Sequence, residues 1–196
     1  MQQIEIYGFS GKIASGKNYI AEKIFLPKLP QKKTLIISFA DHMKIQIMAQ
    51  YNISYERLFH KKDDETRRLL QLTGTENGRN IYGEDYWIKI IYGWMQMHAE
   101  RGIERFIITD CRFPNEANFI QKNGGKIIRI ESPNRTKDTI EREAMNDQEK
   151  IKQIYNHASE TALDNYDNFD FILKNDYEDE NKINGQIGDM IKKFNL

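Results

Sequence analysis

The residues that could do chemistry first are GFSGKIASGKN, residues 8 to 18, where Gly11, Gly16 and Lys17 fit the pattern G-x-x-x-x-G-K followed by Ser or Thr. Glycines there let backbone N–H groups converge on one point, and a helix N-terminus behind them adds positive potential. A lysine then supplies a mobile charge for outer phosphates. Ala14 and Ser15 complete such a loop, and Asn18 takes the hydroxyl position that normally touches Mg²⁺. An amide oxygen can also meet a hard cation, or it can cap the helix instead. The bland alternative is a glycine turn. A second constellation is IITDCRFPNEA, in which Asp110 ends a β-rich run and Arg112 follows two residues later. Beyond the C-terminal end of a parallel strand, a carboxylate can hold magnesium and a guanidinium can face transferring oxygens. The alternative for Asp110 is a turn before Pro114, a good first residue for a helix. In RRLLQLTGTENGR, Arg67, Arg68 and Arg79 surround a glycine-containing break, either as a solvated helix face or as bidentate phosphate contacts.

These groups need elements to position them. QIEIYGF, TLIISF, RFIITD, KIIRIES and NFDFILKN read as five strands alternating with segments of helical period, which is the α/β signature. NYIAEKIFL follows the loop as a helix, so the loop stands between a strand and a helix, the context a phosphate loop requires. Asp41 to Glu100 is mostly helical with polar interruptions at KKDDETRR and GTENGRNIYGED, and it contains no convincing strand. NEANFIQKNGG is a helix ended by glycines, and KINGQIGDMIKKF is a closing amphipathic helix. Residues 134–156 are charged and lack an apolar stripe, as a mobile cover would. Trp87 and Trp94 read as core.

With 196 residues, 29 basic and 29 acidic side chains and one cysteine, the chain suits a single globular domain with no internal disulfide. Zero net charge argues against polymeric nucleic acid or a membrane surface as partner, and no export signal or spanning segment is evident. A cytoplasmic protein is expected, and a homodimer is left open.

Taken in order, SGKN, FADHMK, LLQLTGTENGR, DYWIKII, TDCRFPNEA, GGKIIRI and HASETALDNYDNFDFILKND resemble the blocks of the phage-type deoxynucleoside monophosphate kinases over residues 4–176. The resemblance implies a P-loop kinase fold, with a central parallel sheet of about five strands flanked by helices. It divides the chain into a core (1–40, 101–133 and 157–196), an acceptor-binding helical region (about 41–100) and a lid (about 134–156). It implies ATP and a nucleoside monophosphate as substrates with Mg²⁺ as cofactor. Lys17 and the loop would hold the ATP phosphates, Asp110 with Asn18 the metal, and Arg112 would bridge donor and acceptor. Asp41, Lys44, Arg67, Arg68, Gly74, Glu76 and Arg79 would line the acceptor site with Trp87 as a buttress. Arg135 and Arg142 would be lid cations, and His157, Ser159 and Glu160 either anchor the lid's return or cap a short helix. Two rivals stand beside this reading: another small-molecule kinase such as animal-type phosphomevalonate kinase, which shares the SGK loop, and a non-catalytic ATP-binding module.

Overall fold

The computed structural model describes residues 4–60 and 63–196. Gln3 of the predicted first strand and Lys61 and Lys62 of the predicted polar break lie outside the described residues. In chain order the elements begin with β1 (Glu5–Ser10), α1 (Lys17–Tyr19), which continues as a π-helix over Ile20–Phe25, and β2 (Thr34–Ile37). Helices α2 (Asp41–Tyr51), α3 (Tyr55–Phe59), α4 (Asp64–Gln71), a second π-helix over Leu72–Arg79, α5 (Asn80–Tyr82) and α6 (Tyr86–Glu100) follow. The chain closes with β3 (Arg105–Cys111), α7 (Pro114–Lys122), β4 (Lys126–Glu131), α8 (Pro133–Glu143), α9 (Gln148–Tyr155), α10 (Ala158–Thr161), β5 (Phe171–Lys174) and α11 (Glu180–Phe194). No helix among the described residues is long and apolar enough to cross a membrane.

The five strands form one parallel sheet in the order β2-β3-β1-β4-β5. β1 and β3 are buried almost throughout, as strands covered on both faces should be, whereas β5 alternates at the edge. One face carries the main apolar cluster, with Phe9, Phe25, Ile107, Ile128 and Leu173 packed against Ile183, Ile187 and Met190 of α11. Phe25 meets Tyr7 and Phe9 edge-on at 5.1 and 5.5 Å. Gly8 fits α7 closely, because a Cβ there would lie 2.5 Å from the Ile120 side chain. β1 pairs directly with β3, with Ser10 level with Cys111. The strand order reverses around β1, so the phosphate-loop sequence and the TDCR turn both leave the C-terminal edge at the switch of direction where open α/β sheets hold ligands.

The chain divides into two compact units, Met1–Ile36 with Ile103–Leu196, and Ile37–Gly102. Beyond Ile37, the last residue of β2, the described residues of the second hold helices and no strand. Its GTENGR stretch, expected as a polar break, is instead wound into the π-helix Leu72–Arg79. Its i→i+5 hydrogen bonds do not follow the 3.6 period by which helices are read, so an apolar pattern could not reveal it. Residues 134–156 also differ from a featureless cover. They lie in α8 and α9 and the turn between, with Thr136, Ile140 and Ala144 buried, too few apolar positions to register as a stripe.

Candidate active site

The loop from Gly11 to Lys17 is shaped by left-handed backbone at Ala14 (φ 58°) and Gly16 (φ 81°). Gly16 needs its lack of a Cβ twice over, for its φ and for space. A Cβ would lie 2.5 Å from Nδ2 of Asn175, which donates a 2.8 Å hydrogen bond to the Ser15 carbonyl. Asn175, one residue beyond β5, thus props the loop from beneath. Gly16→Ala should therefore strain the loop by roughly 1–2 kcal/mol and weaken ATP binding, which a melting curve and a nucleotide titration would show together. Unchanged ATP affinity would mean that the loop tolerates the displacement of Asn175.

Lys17 is buried, 8% exposed, and folds back on its own loop. Its Nζ donates to the carbonyls of Gly11 at 2.9 Å and Lys12 at 3.0 Å. Burial pushes its pKa well below the usual lysine value, and the Arg112 guanidinium adds to that, while Glu160 and Asp110 oppose it. Asp110 therefore lies within electrostatic reach of Lys17, half-buried near the end of β3. Asn18 is exposed on the first turn of α1. An ordered carboxylate at the strand end and an amide at the helix start are donors of the hard-oxygen kind that Mg²⁺ takes alongside phosphate oxygens. Among the described residues no group of three or more His, Cys, Asp and Glu side chains could hold a metal by itself.

The turn after β3 is fixed from below by Glu116, buried in α7, whose carboxylate accepts from the N–H groups of Arg112 (2.7 Å) and Phe113 (3.1 Å). The Arg112 guanidinium donates to Glu160 and, at 3.4 Å, to the Ser159 carbonyl. Glu160 also accepts the N–H of Ile13 in the phosphate loop at 2.8 Å. Asp164 holds Lys12 at 2.9 Å and lies 3.7 Å from Arg129, which in turn donates to Ser10 Oγ at 3.1 Å. Burial lowers the Arg129 pKa, with Asp164 opposing. His157 caps α10, its Nδ1 accepting from the Ser159 N–H, so the capped short helix is present. Arg135 is half-buried over Tyr177, 5.8 Å from the ring, while Arg142 is exposed in the last turn of α8. A groove of about 300 Å³ runs between Gly16, Tyr19, Arg135, Asn175 and Glu178.

In the helical unit, Asp41 accepts from the Ser38 N–H at 2.8 Å and from Lys44 at 3.3 Å, and Lys44 lies 4.3 Å over the Phe59 ring. Trp87 is buried and donates to the Gly74 carbonyl at 2.9 Å, and its ring closes on Gly78, so it braces the π-helix. Gly74 is packed under Met43, and Glu76 stands exposed on the π-helix. Arg67 and Arg79 are half-buried and Arg68 is exposed.

Sequence reasoning missed Glu116, Arg129, Asp164 and Asn175. Pro114 at the first helical position pointed to Glu116 at the third, but Arg129 on β4, Asp164 in the turn after α10 and Asn175 just beyond β5 lie far along the chain from the loop, with no local pattern.

A parallel sheet with a glycine-lysine phosphate loop after its central strand, and an acid-arginine turn on the neighbouring strand, defines the P-loop kinase fold. The chain belongs to the phosphomevalonate kinase family, whose model matches residues 9–126. It is also 39% identical over 56 residues to the deoxynucleoside-5'-monophosphate kinase of Escherichia phage T5. That stretch is 29% of this chain and 21% of the phage enzyme, so the chain matches about a fifth of that relative's length. Among solved structures it is similar to TT1252 from Thermus thermophilus, with a TM-score of 0.60 at 13% identity over 99% of each chain. It is likewise similar to shikimate kinase from Bacteroides thetaiotaomicron, with a TM-score of 0.53 at 14% identity over 98% of this chain and 99% of that one. These likenesses show the fold.

Proposed function

We propose that the protein transfers the γ-phosphoryl group of ATP to a nucleoside monophosphate, a deoxynucleoside monophosphate foremost, giving the diphosphate and ADP. The observation that carries the phosphoryl-transfer reading is the buried Lys17 ammonium. It is held by the loop's own groups, the Gly11 and Lys12 carbonyls and, at 3.4 Å, the Ser15 hydroxyl, with Asp110 and Arg112 near enough to act on its charge. A desolvated cation in that position gains most when triphosphate oxygens replace those carbonyls.

A monophosphate carries about −2 and must approach an anionic triphosphate, so cations have to converge on the gap. In this reading Lys17 and the loop N–H groups hold the donor phosphates, and Arg112 meets the oxygens that pass between donor and acceptor. Asp110, with Asn18 secondary, would hold the magnesium, which neutralises phosphate charge. The groove beside Gly16 and Arg135 has room for the donor base and ribose. Arg135 and Arg142 are the lid cations, and the lid keeps water from the transferring group. In the helical unit, Asp41, Lys44, Arg67, Arg68, Gly74, Glu76 and Arg79 are assigned to the acceptor, with Trp87 as brace. Phe39, His42, Ile91 and Trp94 line an apolar, aromatic cleft there. Such a cleft suits a flat base better than a small acid that carries a carboxylate and a phosphate and no ring.

A second reading, with phosphomevalonate as acceptor, has the family match over residues 9–126 in its favour. A coupled ADP-release assay offering each deoxynucleoside monophosphate, each ribonucleoside monophosphate and phosphomevalonate in turn decides between them. Fastest turnover is expected with a deoxynucleoside monophosphate. Turnover confined to phosphomevalonate would replace this reading with the second, and nucleotide binding without turnover on any acceptor would make the protein a binding module.

A further inference from the structure

One backbone unit of the phosphate loop is gripped from both ends of the same excursion of the chain. The Ile13 carbonyl accepts from Oγ1 of Thr136, buried in the first turn of α8, at 2.8 Å. The Ile13 N–H donates to Glu160 at the excursion's return, also at 2.8 Å. Glu160 divides its two oxygens. Oε2 takes the loop N–H, and Oε1 takes the Arg112 guanidinium. Its side chain is only 10% exposed and that of Arg112 25%, so water screens this pair less than it would a surface pair.

We propose that Glu160 is a positioning residue for phosphoryl transfer, one carboxylate that locks the phosphate loop and Arg112 into a single geometry. A guanidinium on a long stem samples many rotamers, and a carboxylate that accepts one of its N–H groups fixes its plane while leaving other N–H groups able to donate to phosphate oxygens. The same carboxylate holds the Lys12–Ile13 peptide, and Thr136 the Ile13–Ala14 peptide that follows, just before Ala14, the non-glycine residue held at φ 58°, a conformation that persists only when its surroundings enforce it. An acid suits both tasks: a neutral amide could accept from Ile13 but would give Arg112 no counter-charge. No substrate contact is assigned to Glu160, which acts through the groups it holds.

The inference rests on the reading that ATP is the donor and that Arg112 serves transfer, and the test separates the two. ATP affinity and turnover are measured for wild type, Glu160→Gln, Glu160→Ala, Arg112→Ala and the Glu160→Gln/Arg112→Ala double variant, with melting curves to count folded protein. Gln keeps an acceptor for the Ile13 N–H, so ATP affinity should stay within about threefold while turnover falls about tenfold or more with KM for ATP steady. Ala removes both contacts and should weaken ATP binding about tenfold as well. In the Arg112→Ala background, Glu160→Gln should cost no further turnover, because its effect passes through the arginine. Wild-type turnover per folded molecule in Glu160→Gln, or losses that multiply in the double variant, overturns the proposal. If wild type transfers to no acceptor, the proposed function fails while the affinity series still decides. Weakening by Ala with recovery in Gln supports the grip on the loop, and equal affinity in all variants ends it.

Discussion

Lys17→Met should lower turnover by about a hundredfold or more while the protein stays folded, as loss of a principal transition-state charge from a water-poor site does. Methionine keeps most of the aliphatic stem and removes the ammonium, so the packing of a residue only 8% exposed is preserved. Stability should even benefit at neutral pH. In the folded chain burial holds the Lys17 pKa below its ordinary 10.5, so the native state binds that proton less tightly than the unfolded one. Between the lowered value and 10.5 the unfolded state carries more protons, and wild-type stability therefore rises with pH across that window; below it, the cost of the buried charge is present in full. Denaturant midpoints of wild type should thus gain on Lys17→Met as pH rises from neutral toward that value. A midpoint difference flat with pH would mean that Lys17 is not desolvated in solution, and near-normal turnover in the folded variant would take it out of the mechanism.

Asp110→Ala should be nearly as damaging, and far more so than Asn18→Ala. Asp110 is half-buried at the end of a central strand, ordered by the sheet and within reach of Lys17, whereas Asn18 is an exposed neutral amide on the first helical turn. A carboxylate binds a hard cation far better than an amide oxygen does. A magnesium titration of turnover at saturating ATP should show Asn18→Ala shifted by about tenfold or less, about 1.4 kcal/mol at most. Asp110→Ala should not be rescued by added metal to wild-type rate, because it also removes the charge that favours protonated Lys17. Equal damage from the two variants would make Asn18 a principal ligand or an essential strut of the loop. Indifference to both would place the metal elsewhere.

The five strands and the position of the loop were legible because buried parallel strands write themselves as apolar runs such as FIITDC and KIIRI, bounded by polar turns. That β3 lies beside β1, carrying Asp110 toward the loop, was only a condition in the sequence and is a fact of the sheet. What stayed hidden is of two kinds. The π-helix over Leu72–Arg79 and the two helices in residues 134–156 lack the 3.6-residue stripe, the first through its wider winding, the others because few of their residues are buried. The supports of the site, Asn175 beneath Ser15 and Glu160 between Ile13 and Arg112, join residues 160 and 147 positions apart in the first and the loop contact of the second. No local spacing encodes such pairs. HASETALD could be read only as a capped turn or an anchor, and the carboxylates it delivers to Arg112, Lys12 and Arg129 became visible with the fold.

The most direct test of phosphoryl transfer follows the phosphoryl group itself. ATP labelled with heavy oxygen in its γ-phosphoryl is incubated with the protein, magnesium and a deoxynucleoside monophosphate, and the products are weighed by mass spectrometry. The account predicts a labelled deoxynucleoside diphosphate formed in step with ADP, and its disappearance in Lys17→Met. Labelled inorganic phosphate without labelled diphosphate, or diphosphate production undiminished in the Lys17 variant, would contradict it.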